Sequence, residues 1–502
     1  MAQPAVENAS TGNDEPPRRF NSIDPRTGEL VGSHPVHGPD VVRQRVTDAR
    51  TAATWWAELG FDGRKQRLDA WRKLIARRVE ELVALMSSET GKPADDARLE
   101  LVLVIEHLHW AANNAERVLR RRRVRAGLLM SNQVATIEYQ PLGVVGVIGP
   151  WNYPVFTPMG SIAYALAAGN TVVFKPSEYS PGVGEWLADT FAEVVPEQPV
   201  LTVVTGAGET GAALCRAGVA KIAFTGSAAT GRKVMATCAE TLTPVLMECG
   251  GKDALIVADD ADLNQAADAT VWGAMANAGQ TCAGVERVYV VDSLADDFVA
   301  KVATKVRPLR TGSHAGADIG PMTMPSQVDV VRGHIADALE RGGKAVVGGV
   351  DSVRAPYVSP VVLVDVPEDS MAVTDETFGP IVVINRVPDA DEAVRLANDS
   401  RYALGAAVFS KGHGPELAAR LRAGMVSVNS VLSFAAVPAL PFGGSGDSGF
   451  GRIHGEDGLR EFTRPQSVTR QRFRPLLRPM TFARGNGTVR RLVRLVRLRY
   501  GR

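Results

Sequence analysis

Apolar residues recur every three or four positions through much of residues 41 to 118, and that spacing predicts helices. The clearest run, RLDAWRKLIARRVEELVALM, places Leu68, Trp71, Leu74, Ile75, Val79, Leu82 and Leu85 on one stripe. From residue 143 onward the pattern changes. Short β-branched runs follow one another: VVGVI (144–148), TVVF (171–174), LTVV (201–204), KIAF (221–224) and ALIVA (254–258). Each gives way to Gly, Pro or Ser/Thr and then to a helix-length segment, the rhythm of a parallel sheet with helices on its faces. A second series follows the same rule: RVYVV (287–291), PIVVINRV (380–387), AAVFS (406–410) and MVSVN (425–429). The predicted fold class is α/β, as two such layers with a ligand cleft between them. No internal repeat is visible.

Composition narrows this picture only slightly. The chain has 502 residues, 45% hydrophobic and 22% charged, a globular composition long enough for two to four domains or one large α/β body. No run approaches the ~18 apolar residues of a membrane span. Residues 1–18 are polar and Pro-rich and read as a disordered start, not a signal peptide. Four cysteines with no CxxC or CxxH spacing indicate neither a disulfide framework nor a zinc site, so no metal is expected and a reducing cytoplasm is.

Charge changes the picture more. Of 56 basic residues, 12 are arginines between Arg464 and Arg502, a stretch without an acidic residue. That leaves 44 basic against 55 acidic residues in the rest of the chain, a mildly acidic body with a basic tail. In VRRLVRLVRLRYGR (489–502), helical spacing puts Val489, Leu492, Val493, Val496 and Tyr500 on one face and Arg490, Arg491, Arg494 and Arg497 on another. A peripheral contact with an anionic membrane is one expectation; a disordered tail or docking on the acidic body are the others. The run RRRRVR (120–125) has no interleaved aromatics and reads as a solvated helix end, with no nucleic acid expected.

Candidate chemistry begins with NAGQTCAG (277–284). Cys282 lies among small and polar residues, where a ligand can approach a thiol, whereas structural cysteines sit among apolar neighbours. Two motifs are decoys. GAGETG (206–211) fits GxGxxG after a strand, but TGRKVM stands where the dinucleotide fingerprint wants an acid. GDSGF (446–450) lacks the all-β setting of a serine-protease elbow and reads as a turn. Four stretches carry more. GPWNYP (149–154) puts Asn152 at a strand end, with an amide able to donate to an oxyanion. FKPSE (174–178) offers Lys175 and Glu178 to sugar hydroxyls or a phosphate. FTGSAATG (224–231) opens a helix whose free N–H groups favour an anion. MECGGK (247–252) supplies Glu248, a candidate general base for the thiol site.

Together with ETFGP (376–380) and PFGGSGDSG (441–449), these motifs resemble the aldehyde dehydrogenase superfamily over about residues 22 to 470. The resemblance implies a Rossmann-like cofactor-binding domain (19–123 and 141–251) and a second α/β catalytic domain (252–462). It also implies a small bridging β segment for oligomerisation (124–140 and 463–475), with the Arg-rich 476–502 as a tail. A homodimer or homotetramer is implied. Cys282 is similar to the nucleophile, Asn152 and the Cys282 N–H to the oxyanion hole, and Glu248 to the base that hydrolyses the thioester; Glu248 argues for the non-acylating branch. NAD is the implied cofactor, with NADP as the alternative. Its implied contacts are Ile148, Trp151, Lys175, Ser177, Glu178, Gly208, Gly226, Ser227, Gly231, Glu376 and Phe378. Glu178 favours NAD, since a carboxylate bonds ribose hydroxyls and repels a 2′-phosphate.

Three departures matter. Cys249 stands where relatives carry Leu, either as an apolar filler or as a redox partner of Cys282. Gly160 stands where many carry an aromatic that narrows the substrate tunnel. A wider apolar entrance lined by Phe156, Thr157, Gly160 and Phe434 is therefore expected, suited to medium-to-large apolar or aromatic aldehydes. GRIHGEDGL (451–459) is similar to the semialdehyde and fatty or aromatic aldehyde branch, with His454 structural. A succinate-semialdehyde-type enzyme is the near alternative and needs a cation in the tunnel. A non-catalytic membrane- or polyanion-binding scaffold is the alternative from another class.

Overall fold

The computed structural model describes residues 18–314, 316–474, 478 and 480–501. The disordered start expected over 1–18 falls almost wholly outside them. Two compact units divide the chain. The larger takes in the chain up to Val118 together with Pro141–Thr463, and the smaller Leu119–Gln140 with Arg464–Arg502.

Within the larger unit, helices run over Pro39–Glu58, Gly60–Arg77, Val79–Thr90 and Ala94–Leu119. The long apolar stripe of 67–86 is two helices. The chain leaves helical geometry at Arg78 (φ −109°, ψ 23°), yet the spacing carries through because both helices bury the same side. Trp71 shows how: its ring meets Phe191 edge-on at 4.9 Å and its Nε1 donates to Thr190 Oγ1.

Two sheets organise the rest. In the first, the parallel strands Leu201–Val203, Thr171–Lys175, Val144–Ile148, Lys221–Gly226 and Val245–Cys249 lie side by side in that order, and Gly449–Phe450 adds an antiparallel edge. By chain position the parallel strands read 3-2-1-4-5, a doubly wound order that reverses between Val144–Ile148 and Lys221–Gly226. In the second sheet the order is Lys344–Val347, Val361–Val364, Ile381–Val387, Val285–Val291, Asp253–Val257, Gly405–Phe409 and Met425–Val428. Only the first of these is antiparallel to its neighbour.

One grouping is corrected. ALIVA follows the first series in rhythm, but Asp253–Val257 pairs with Val285–Val291 and Gly405–Phe409 in the second sheet. The fifth parallel strand of the first sheet is VLMEC, whose Met, Glu and Cys hide its strand character. The α/β class with parallel sheets is as expected.

The smaller unit holds a three-stranded sheet of Thr463–Gln471, Gln133–Pro141 and Arg122–Val124 and a helix over Thr488–Tyr500.

Candidate active site

The reversal point of the first sheet is where a doubly wound fold leaves a crevice, because the helices after the two central strands depart to opposite faces. Here that crevice opens into a cleft of about 690 Å³. Its lining includes Ile148, Trp151 and Asn152 after one central strand and Thr225, Gly226 and Ser227 after the other. Lys175, Ser177, Glu178, Gly208, Cys249, Cys282, Glu376 and Phe378 also reach it.

Cys282 arrives on a strained loop. The helix Leu263–Met275 ends, and Asn277 and Ala278 adopt left-handed backbone (φ 53° and 55°). Side chains hold that turn in place. Asn277 Nδ2 donates to Asn152 O at 3.0 Å and to Gln280 O at 3.2 Å, and Thr281 Oγ1 bonds Tyr153 OH at 2.9 Å. Asn152 Nδ2 donates to Gln280 O at 2.9 Å. An amide nitrogen has two hydrogens, so one remains for the cleft. The loop bearing the thiol and the strand end bearing the amide are thus one bonded unit.

Cys282 is partly accessible from the cleft, with protein enclosing its other sides. That enclosure, and then the charges of Glu248, Glu376 and Asp253, push the thiol well above its ordinary value; the Ala283 N–H works the other way. Glu248 is the penultimate residue of the strand Val245–Cys249, is buried and is not part of the cleft lining. It lies behind Thr225, whose hydroxyl donates to Oε2 at 3.1 Å. Burial pushes its carboxyl up to about 7, the Thr225 bond opposing. Glu376 is pushed up to about 8 by burial and by Glu286, and accepts from Gly251 N at 3.1 Å. That approach needs glycine at Gly250, where a Cβ would lie 1.9 Å from Glu376 Oε1.

Comparison with known proteins identifies the family. Residues 12–468 match the model of the aldehyde dehydrogenase family. The chain belongs to the aldehyde dehydrogenase family. It is 38% identical to the 4,4'-diapolycopene aldehyde oxidase of Methylomonas sp, over 90% of this chain and 86% of the relative. It is 35% identical to a putative NADP-dependent succinate-semialdehyde dehydrogenase of Mycobacterium ulcerans, over 90% and 89%. Among solved structures, an NAD-dependent aldehyde dehydrogenase from Sinorhizobium meliloti superposes with a TM-score of 0.88 at 32% identity, covering 92% of this chain and 93% of that one. An NADP-dependent enzyme of E. coli superposes at 0.86 and 31%, covering 90% and 95%. The protein is an NAD(P)-dependent aldehyde dehydrogenase, which oxidises an aldehyde to its acid.

The cleft of this aldehyde dehydrogenase has a donor set that fits such a nucleotide. Ser227 caps the helix Ala228–Ala239, leaving its first N–H groups to meet an anion. Lys175 is buried with Nζ 3.6 Å from Glu178 Oε2, a cation and a carboxylate placed for phosphate or ribose. Trp151 and Phe378 meet edge-on at 5.5 Å, forming an aromatic wall. Gly231 does not line the cleft. It packs inside that helix, where a Cβ would lie 3.2 Å from Cys249 Sγ.

On the substrate side the structure is less open than the sequence suggests. Phe156, Thr157, Gly160 and Phe434 are buried and lie outside the lining of the large cleft. The room at Gly160 is filled: a Cβ there would lie 2.7 Å from both His454 Nε2 and Ile453 Cδ1. His454 lies against His107 with ring centroids 3.9 Å apart and planes inclined at 48°, and packs on Phe156, Tyr164 and Phe442.

Sequence reasoning missed the residues that hold this site. Glu286 accepts from the backbone N–H of Thr377 at 2.8 Å and of Phe378 at 2.9 Å, and pairs with the buried Lys252. Glu100 accepts from Val155 N and Phe156 N, both at 2.9 Å, and pairs with the buried Lys92. Lys252 could have been found, since it ends MECGGK. Glu286 and Glu100 sit within a strand and a helix with no local signature.

Proposed function

We propose that Cys282, Asn152 and Glu248 carry the oxidation, supported above all by the Asn152–Gln280–Asn277 bonding that ties the amide to the thiol loop. Cys282 releases its thiol proton to solvent, and the thiolate adds to the aldehyde carbon. The developing oxyanion accepts hydrogen bonds from the second Asn152 Nδ2 hydrogen and from the Cys282 N–H, giving a thiohemiacetal. A nicotinamide held by Glu376 and Phe378 would supply the hydride acceptor for that carbon. The carbon is then a thioester on Cys282. Glu248 takes a proton from water as it attacks, the acid leaves and the thiol is restored. At about 7, the Glu248 carboxyl is matched to general-base work near neutrality.

The nucleotide we propose is NAD, held at Lys175, Ser177, Glu178, Gly208, Gly226 and Ser227 on the adenosine and phosphate side, with Ile148 and Trp151 flanking the groove. Glu376 and Phe378 take the nicotinamide half. Glu178 would repel a 2′-phosphate. The first sheet with its helices serves as the cofactor half and the second as the catalytic half. The exposed strand Arg122–Val124 offers an edge for homo-oligomers.

The substrate we propose is a medium-to-large apolar or aromatic aldehyde. A semialdehyde needs a cation for its distal carboxylate. Among the described residues, the basic groups whose rings meet Phe156 are His107 and His454. Burial pushes His107 down to about 4 and His454 well below its ordinary value, so both are neutral. The relative named for 4,4'-diapolycopene aldehyde agrees with this reading. An aldehyde series, from acetaldehyde to long-chain and aromatic members with succinate semialdehyde included, tests it with NAD and NADP as oxidants. Rising kcat/KM with apolar size and a preference for NAD are expected. A steep preference for acetaldehyde or succinate semialdehyde defeats the substrate reading, and a preference for NADP defeats the cofactor reading.

A further inference from the structure

The helix Thr488–Tyr500 has no use in the chemistry above. Its 13 residues are about 20 Å long, and no described helix is long and apolar enough to cross a membrane. It is strongly two-faced. Val489, Leu492, Val493, Val496 and Tyr500 form one stripe, and none of the helix is buried. Val489, Val493, Val496 and Tyr500 stand 47%, 43%, 38% and 71% exposed. Arg490, Arg494 and Arg497 run along one flank of that stripe and Arg499 along the other, with Arg491, Leu495 and Leu498 on the far side. The approach to the helix also exposes Met480 and Phe482. From Arg464 to Arg502 there is no acidic residue.

Each half of this surface excludes a simpler partner. Phosphates of a nucleic acid would satisfy the arginines but leave five apolar side chains in water. An apolar protein groove would take the stripe but not the flanking guanidinium groups. An anionic bilayer takes both, with the stripe at the acyl boundary and the arginines at the headgroup phosphates. We propose that this helix lies in the surface of an anionic membrane and docks the enzyme there. The proposal stands apart from the aldehyde reading, although an apolar aldehyde concentrates in the same place.

The test is co-sedimentation of the full chain, without substrate, with vesicles of phosphatidylcholine alone or of equal parts phosphatidylcholine and phosphatidylglycerol. Two variants are compared with the parent: Arg490→Ala/Arg494→Ala/Arg497→Ala, and Val493→Asn/Val496→Asn. Turnover of a water-soluble aldehyde shows that each variant is folded, since the substituted positions are exposed. Near an anionic surface each arginine contributes about a five-fold change in partition, so the triple variant should bind about 100-fold more weakly. The double variant should bind about ten-fold more weakly. Parent binding should need phosphatidylglycerol and weaken with added salt. Equal binding to both vesicle types, no binding to either, or undiminished binding by either variant overturns the proposal. Binding of polyuridylate as tight as vesicle binding, and unchanged in the double variant, assigns the arginines to a polyanion instead and also overturns it.

Discussion

The base role proposed for Glu248 needs an ionised carboxylate, and burial moves that ionisation up to about 7. The sign follows directly. The basic form exists above that value, so kcat for thioester hydrolysis should rise as pH climbs through about 7 and level off beyond it. Glu248→Gln removes the base and leaves the thiol. Rapid mixing should then show a first burst of reduced nucleotide of near-parent size, followed by a steady rate lower by about 10² to 10⁴. An abolished burst would assign Glu248 a role in the attack on the aldehyde. Gly250→Ala puts a methyl group where the Glu376 carboxylate lies. The expected result is a KM for nucleotide raised about ten- to hundred-fold, with the thiol still alkylated at the parent rate. His107 makes a separate prediction. Its value falls from 6.5 to about 4 on folding, so between these limits the unfolded chain binds more protons and stability declines as pH drops. That single group forfeits about 3 kcal/mol by pH ~4. Carboxyls with raised values, such as Glu376, act in the opposite sense, so the measurement is a difference. Between neutral pH and pH ~4, His107→Gln should lose less in thermal midpoint than the parent does.

At the scale of elements, legibility followed side-chain chemistry. Strands rich in Val and Ile, such as Val144–Ile148 and Ile381–Val387, are visible because both faces are buried and both must be apolar. Val245–Cys249 is not visible, because its last residues are a carboxylate buried behind Thr225 and a thiol that lines the cleft. The helices of 67–86 merge in the sequence because the break at Arg78 leaves the buried stripe in phase. Motifs at strand ends, where Asn152 and Cys249 emerge, were readable because function concentrates there. The loop Glu376–Pro380 was readable too, but not what fixes it: Glu286 acts from within the neighbouring sheet, across 90 residues of chain. Its test is Glu286→Gln, which leaves the Lys252 ammonium buried without its charge partner. The expected loss is about 3 to 5 kcal/mol, seen as a lower urea midpoint. A parent-like midpoint would show that the bond from Lys252 Nζ to Thr377 Oγ1, 3.0 Å long, is enough to hold Lys252.

For the whole molecule, the reversal of strand order in the first sheet explains why four separated motifs, GPWNYP, FKPSE, FTGSAATG and MECGGK, can reach one cleft. Each follows or ends an element whose exit is aimed at the same crevice. The sequence could order the motifs but not show that the space at Gly160 is filled by His454, because that contact joins residues almost 300 apart. The smaller unit adds a prediction of its own. Arg122–Val124 has all three residues exposed, and a proline there removes a backbone donor from an edge strand. Arg123→Pro should shift a dimer or tetramer toward smaller species in size-exclusion chromatography while leaving the cleft intact.

The central claim is that Cys282 is the atom on which the aldehyde becomes an acid. Mass spectrometry of the Glu248→Gln protein, quenched after one turnover with aldehyde and nucleotide, tests it most directly. The account predicts an acyl adduct on the peptide carrying Cys282, in one-to-one ratio with reduced nucleotide, and none in Cys282→Ser, whose turnover falls by about 10³ or more. An adduct on another residue, or sustained aldehyde oxidation by Cys282→Ser, would contradict it.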